Sequence, residues 1–559
     1  MALAVPHMGL RESPEESMRY TDRVTRSPFL LTPLLLLLSL GACDGNPKPT
    51  PDAGVSDAGM GQPDASTEQP DSGTEQPDAG TGETDGGTNQ CGTGRAFVEV
   101  VANKALLQDT SLDILERLRA IPGLTVQENP NGARLPTGYR FFIMQYDQPA
   151  DHSNPECQRF QQRLTLLHTS DTAPMVLYTG GYYVSTSPSR RELTSMLGAN
   201  QLSVEHRFFL PSRPEPADWS LLTIKQSADD FHRIVQAFKP LYGGRWLSTG
   251  ASKGGETVVF NRHFHPDDVD ATVAYVAPLA FKDDARFPAF MHAVGGDAQA
   301  ACRERIHTFQ RTVLGRREEM LGLLRTYAQD NGLTFTQLGF ERALEHAVIE
   351  TYFGFWQYNS PASCDNVFPG SEATSAQLLD VMNSMTGLAT FADNGSSGLG
   401  YYAPYYYQAS VELGWPGAYD DFLGDLIHFP DTDVAPVYAP PGLPLVFRES
   451  AMQDIQDWVS TRGERLMFIY GELDPWTSAA FSLGRASDSY LYMVPGGNHG
   501  STISRLPETQ RSEAYGTVLR WAGLSSAGLK STPPVWVEEP QFEEFAPHLP
   551  PRLRQRTAP

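Results

Sequence analysis

A serine set among glycines, Gly250-Ala251-Ser252-Lys253-Gly254-Gly255, lies between two segments of opposite periodicity. Before it, Trp246-Leu247-Ser248-Thr249 is short and β-prone, as a buried strand is; after it, Glu256-Thr257-Val258-Val259-Phe260 opens a helical pattern. A chain that passes from strand to helix in so few residues must turn sharply, and flanking glycines remove the side chains that would block the turn. The serine at the apex then stands beside a helix N-terminus, whose partial positive charge favours developing negative charge. Such a strand, turn and helix is a nucleophile elbow, and it demands a sheet with helices packed on it. A Gly-rich turn with an incidental serine is the alternative.

The surrounding sequence supplies that sheet. β-rich runs at 139–145, 162–168, 175–179, 202–207, 246–249 and 272–276 alternate with helical patterns at 224–238 and 254–264, which predicts an α/β fold with a mostly parallel sheet. The first two runs are close enough to pair as a hairpin. From 283 to 440 the character changes to helical stretches at 298–328 and 340–355, followed by Gly- and Tyr-rich sequence that reads as irregular. The α/β pattern resumes with strands at 465–470 and 490–494 and a closing helix at 507–521. This divides the foldable chain into a first α/β part (91–282), a helical cap (283–440) and a second α/β part (441–524).

A serine hydroxyl becomes a useful nucleophile only when a base takes its proton, so a histidine and a carboxylate are expected downstream. Asp474 follows the 465–470 strand in Gly471-Glu472-Leu473-Asp474-Pro475-Trp476, and His499 follows the 490–494 strand in Gly496-Gly497-Asn498-His499-Gly500. Glu472 reads as a solvated turn residue. An oxyanion needs two backbone donors, for which the N–H of Lys253 and that of Gly181 or Tyr182, in Thr179-Gly180-Gly181-Tyr182, are candidates. No metal or cofactor is expected: His263 and His265 are alternate residues on a helix and face different ways, and no Cys-x-x-Cys pattern is present.

The N-terminus carries a different message. Arg19, Arg23 and Arg26 precede a Leu-rich run that is too short to span a bilayer comfortably, so residues 1–43 read as an export segment; its ending Leu40-Gly41-Ala42-Cys43 resembles the bacterial lipobox, which implies lipidation at Cys43, and an ordinary secretory peptide that releases the protein is the alternative. Residues 44–90, with near-repeats such as Thr67-Glu68-Gln69-Pro70-Asp71 and ten acids against the one base Lys48, read as a disordered tether, and 525–559 as a Pro-rich tail. Net charge is −23, which excludes the basic footprint of a nucleic-acid binder. Any membrane association is expected through the lipid alone. If Cys43 carries lipid, Cys91, Cys157, Cys302 and Cys364 form an even set in an exported chain, and Cys91–Cys157 and Cys302–Cys364 are the expected pairings because each joins segments of one subdomain.

At these residues the sequence resembles the prolyl tri/tetrapeptidyl aminopeptidases, secreted bacterial serine peptidases of the PS-10 type (serine peptidase family 37). The resemblance rests on Glu205-His206-Arg207-Phe208-Phe209, on 246–255, on Tyr275-Val276-Ala277-Pro278, on Phe355-Trp356-Gln357-Tyr358 and on Gly497-Asn498-His499-Gly500, and covers about residues 135–525. Ala251 departs from the glycine expected there. The resemblance implies an α/β-hydrolase fold with a helical cap, a triad of Ser252, Asp474 and His499, and cleavage of peptides after proline near a free N-terminus. Tyr405, Tyr406 and Trp415 offer flat surfaces for a proline ring, with ordinary packing in the cap core as the alternative, and Glu205 and Glu412 are candidate partners for the amine. Glu205 has a competing reading, that the Glu-His-Arg run fixes the turn after its strand. A lipase or esterase with the same triad, and a binding lipoprotein without catalysis, stay open at this level.

Overall fold

In the computed structural model, residues 103–395 and 397–525 are described. Their frame is a nine-stranded sheet: β1 (Leu124–Glu128), β2 (Arg140–Pro149), β3 (Arg159–His168), β4 (Met175–Tyr178), β5 (Asn200–Val204), β6 (Trp246–Ala251), β7 (Ala271–Tyr275), β8 (Leu466–Gly471) and β9 (Tyr490–Val494). The order across the sheet is β1-β2-β3-β5-β4-β6-β7-β8-β9. β2 and β3 form the expected antiparallel hairpin, with Arg140 opposite His168 and Pro149 opposite Arg159. From β5 to β9 every neighbouring pair is parallel.

Burial explains the difference. Every residue of β4, β6, β7 and β8 is buried, as in parallel strands covered on both faces, whereas β2 alternates buried and accessible positions. β1 was not expected. Its residues are mostly exposed and two of its five are Gln127 and Glu128, so the alternation that marks a half-buried strand is missing; pairing with β2 decides it.

The chain fills the sheet outward from the middle. After β4 it crosses to β5 on one side, and it then returns past β4 to place β6 on the other. The carboxyl ends of β4 and β6 therefore face a crevice where strand order reverses, the position at which open α/β sheets take their ligands.

Between β7 and β8 the chain makes the helical insertion. Its helices include Ala300–Gly315, Arg317–Asn331, Phe340–Tyr358 and Ser375–Thr386, packed on a core of their own that contains Ile306, Phe309, Leu321, Leu344, Tyr352 and Trp356. The stretch expected as a single helix over 298–328 is two, because Arg316 leaves the helical conformation (φ −107°, ψ 28°) and reorients the chain. The Tyr-rich segment expected as irregular is helical at Leu399–Gln408 and continues as a π-turn at Ala409–Leu413. Aromatic contacts hold it there, Tyr402 and Tyr405 against Tyr182 and Tyr401 against Tyr183, so tertiary packing overrides Gly400 and Pro404.

Cys302 and Cys364 form the expected disulfide. Cys157 is disulfide-bonded as well, and its expected partner Cys91 lies outside the described residues, as do Cys43, the export segment, the tether and nearly all of the tail. Among the described residues no helix is long and apolar enough to cross a membrane.

Candidate active site

Ser252 occupies the step between β6 and the Lys253–Phe264 helix with φ 54° and ψ −127°, a conformation that costs free energy for any residue with a side chain. Its N–H donates to the Tyr275 carbonyl (2.9 Å), which ties the apex to β7. The neighbouring glycines are needed for space. A Cβ on Gly254 would overlap the Thr179 carbonyl and lie 2.8 Å from the Gly180 carbonyl carbon; one on Gly181 would lie 2.7 Å from the Gly254 nitrogen; one on Gly255 would lie 2.8 Å from Ala277 Cβ. The loop after β4 thus rests directly on the first turn of the helix that Ser252 opens. Gly181 takes φ 76° and its N–H donates to Thr179 Oγ1 (3.0 Å).

Asp474 and His499 leave β8 and β9 on this same edge of the sheet. Gly471, at the end of β8, permits the 497–498 segment to cross over it, since any Cβ would lie 2.7 Å from the Gly497 carbonyl carbon. The Leu473 N–H donates to the Gly497 carbonyl (2.8 Å), and Glu472, an exposed residue, accepts from the Gly496 N–H (2.7 Å). Those bonds bring His499 Nδ1 to 2.7 Å from Asp474 Oδ2, with both side chains fully buried. Asp474 Oδ1 also accepts from the Trp476 N–H (3.2 Å). The cap reaches the histidine from the other side: the His499 N–H donates to the Gln357 carbonyl (2.9 Å), and the Tyr358 ring meets the imidazole edge-on at 6.0 Å.

A cavity of about 260 Å³ lies beside this cluster; Ser252, Asp474 and His499 are not themselves among its lining residues. Its wall includes Tyr358 and Trp476, which flank His499, and Tyr405, whose ring lies 5.9 Å from that of Tyr182. Tyr406 and Trp415 line it too, so the three aromatic residues expected to meet substrate come together. Glu205 and Glu412 are not among its lining residues. Glu205 accepts from the Val184 N–H (3.0 Å) and the Ser212 hydroxyl (2.8 Å), and burial raises its pKa to about 7. Glu412 accepts from the Ile224 N–H (2.7 Å) and from Arg448 (2.7 Å).

Lys253, next to the serine, is buried with its ammonium over the Tyr182 ring (5.7 Å). Burial lowers its pKa to about 8, while Glu256 and Glu412 oppose that shift; burial likewise raises Glu256 to about 8. Among the described residues a group of metal-ligand composition, His232, His265 and Asp268, lies at the far end of the helix. Its members are hydrogen-bonded already: His232 Nδ1 lies 2.9 Å from Asp268, and His265 Nε2 lies 2.8 Å from Asp229.

Residues 108–543 match the family described as PS-10 peptidase S37. The chain belongs to that family. It is a serine-type peptidase with an α/β-hydrolase fold. It is similar to the prolyl tri/tetrapeptidyl aminopeptidase of Streptomyces mobaraensis, at 40% identity over 441 residues, covering 78% of this chain and 89% of that one. Among solved structures it is similar to a monoacylglycerol lipase of Paleococcus ferrophilus (11% identity, TM-score 0.30, 66% of this chain and 100% of that one) and to a peroxisomal alpha-beta-hydrolase of Saccharomyces cerevisiae (11%, TM-score 0.32, 74% and 97%).

Sequence reasoning did not find Glu350 and Asp433, which line the cavity of this S37 peptidase, nor the role of Trp476 in its wall. Glu350 had a weak signal, the one charged residue in the mostly apolar run Ala347–Phe353; Asp433, in an acidic loop, had none.

The close approach at the elbow predicts that Gly254→Ala destabilises the enzyme by about 1–3 kcal/mol or prevents folding, through overpacking against backbone. Gly322→Ala, exposed in the interior of the Arg317–Asn331 helix with open space around it, is expected to be neutral or to stabilise by up to about 1 kcal/mol. Urea unfolding of the two variants against wild type checks both signs.

Proposed function

We propose that this S37 peptidase cleaves peptides after a proline near a free N-terminus and releases the N-terminal tri- or tetrapeptide. The observation that carries the reading is the buried His499–Asp474 pair on the sheet edge that holds the elbow, beside an aromatic cavity; the activity named for the Streptomyces mobaraensis relative supports it. In this reading Ser252 Oγ attacks the carbonyl of the proline and passes its proton to His499 Nε2, while Asp474 holds the imidazole through Nδ1 and stabilises its charge. The N–H groups of Lys253 and Tyr182 hold the oxyanion; that of Gly181 is spent on Thr179 Oγ1. His499 then gives its proton to the departing amine, the acyl-enzyme remains on Ser252, and a water deprotonated by His499 hydrolyses it. Proline suits a wall of Tyr405, Tyr406 and Trp415 because its compact apolar ring can pack on flat aromatic faces and, within a peptide, it brings no N–H to be satisfied. Glu205, on its bonds to Val184 and Ser212, serves to fix the turn after β5.

For location, we propose export and lipid attachment at Cys43, supported by the Leu-rich run and by the Leu-Gly-Ala-Cys ending. The acidic spacer would hold the peptidase away from the membrane surface.

Replacing Ser252 or His499 by alanine is expected to lower kcat by about 10⁶-fold, and Asp474→Asn by about 10⁴-fold, with the fold retained; near-normal turnover in Ser252→Ala would end the assignment. Specificity is read from paired chromogenic amides. Free Ala-Ala-Pro is expected to be cut about 10- to 100-fold more efficiently than its N-acetyl form, and Ala-Ala-Ala poorly. A preference for the alanine amide overturns the proline assignment and leaves the triad standing. In cells, Cys43→Ser is expected to move the protein from the membrane to the soluble fraction, and equal partitioning of both forms would refute the anchor.

A further inference from the structure

One face of the Phe340–Tyr358 helix floors the cavity: Glu350, Phe353, Gly354, Gln357 and Tyr358 all line it, at the i, i+3, i+4, i+7, i+8 spacing of a single helical stripe. One end of the stripe touches the catalytic histidine, through the Gln357 carbonyl and the Tyr358 ring. The other end carries Glu350, where Asp433, from the loop ahead of the Ala435–Tyr438 helix, lines the same cavity.

Among the described residues no Lys or Arg pairs with either carboxylate. Asp433 accepts from the Tyr438 hydroxyl, which also contacts His346 Nδ1 (2.7 Å). His346 Nδ1 lies 3.8 Å from Asp433, and burial holds that imidazole neutral, with a pKa of about 3. Among the described residues the Glu350 carboxylate has no hydrogen bond or ion pair. Burial raises the pKa of both acids, Asp433 to about 7, and the charge of Asp433 pushes Glu350 up further. A half-buried acid without a partner, beside a buried one whose only partners are neutral, is costly to a fold, and in a cleft the pair marks a place for a charge supplied from outside.

We propose that Glu350 and Asp433 receive the α-ammonium of the substrate, and that the helix between Glu350 and Tyr358 is the ruler that sets where cleavage falls. The inference rests on the aminopeptidase reading above and deepens it. Eight residues of helix at 1.5 Å each span about 12 Å. An extended peptide covers about 3.3–3.6 Å per residue, so about 12 Å holds three to four residues between the amine and the reacting carbonyl. A proline at the second position would leave the ammonium short of the acids, and one at the sixth would leave no room for it.

The test is kinetic, with Glu350→Gln, Asp433→Asn and the conservative Glu350→Asp, each assayed on free and N-acetylated Ala-Ala-Pro chromogenic amides. Glu350→Gln breaks no protein hydrogen bond and is expected to fold as wild type does. It should lose about 10- to 100-fold in kcat/KM on the free substrate, mostly through KM, while the acetylated one changes by less than about threefold. Asp433→Asn should do the same, and Glu350→Asp should recover part of the preference. On wild type, free peptides with proline moved from position two to position six should show a maximum at three and four. Parallel losses on both substrates would mean a structural role only and overturn the inference, as would a wild-type preference for the free amine that survives in both Glu350→Gln and Asp433→Asn. A wild type that treats free and acetylated peptides alike would instead overturn the aminopeptidase reading, and this inference with it. Should Asp433→Asn fail to fold because it disturbs Tyr438 and His346, Glu350→Gln and the position profile still decide.

Discussion

The whole site depends on two stretches of backbone lying closer than side chains would allow. The loop after β4 sits on the first turn of the helix that follows β6, with Gly180 and Gly181 against Lys253 and Gly254. This contact holds Ser252 in its strained conformation at the apex, sets the Lys253 and Tyr182 backbone beside it, and closes the crevice where strand order reverses. Strain at Ser252 persists because the surroundings over-determine it: its N–H is bound to β7 and the glycines leave the chain no alternative path. A second close approach, Gly471 beneath Gly497 and Asn498, does for Asp474 and His499 what the first does for the serine. Three side chains far apart in sequence thus reach one sheet edge through glycine-permitted crossings.

This arrangement accounts for what was legible in the sequence. Local signals carried the sheet because β4, β6, β7 and β8 are buried on both faces and must be short apolar runs, and the glycines of the elbow must be glycines. The Ile224–Phe238 helix stood out for the same kind of reason, being strongly two-sided. The cap was harder. Its Tyr-rich helix is held by rings of Tyr182 and Tyr183 almost 220 residues away in sequence, a cause no local window contains. The break at Arg316 has no glycine or proline to announce it.

The site divides along the same line. Ser252, Asp474 and His499 announce themselves because each sits in a Gly-marked turn after a strand. The carboxylates of the cavity do not, because what distinguishes Glu350 and Asp433 from ordinary acids is that among the described residues no Lys or Arg pairs with them, which only the packing reveals. Glu205 and Glu412, in conspicuous motifs, turn out to hold backbone N–H groups in place. An acid bonded to the protein's own N–H groups has little to offer a ligand; an acid facing a cavity without a partner has much.

The central claim, that the strained elbow makes Ser252 the nucleophile, is tested most directly by covalent labelling. An aryl organophosphonate incubated with the active enzyme and mapped by peptide mass spectrometry should leave one adduct per chain, on the peptide containing Ser252, and His499→Ala should slow its formation by orders of magnitude because the proton acceptor is gone. An adduct on a different serine with complete loss of activity, or full labelling of Ser252 at an unchanged rate in His499→Ala, would contradict the account.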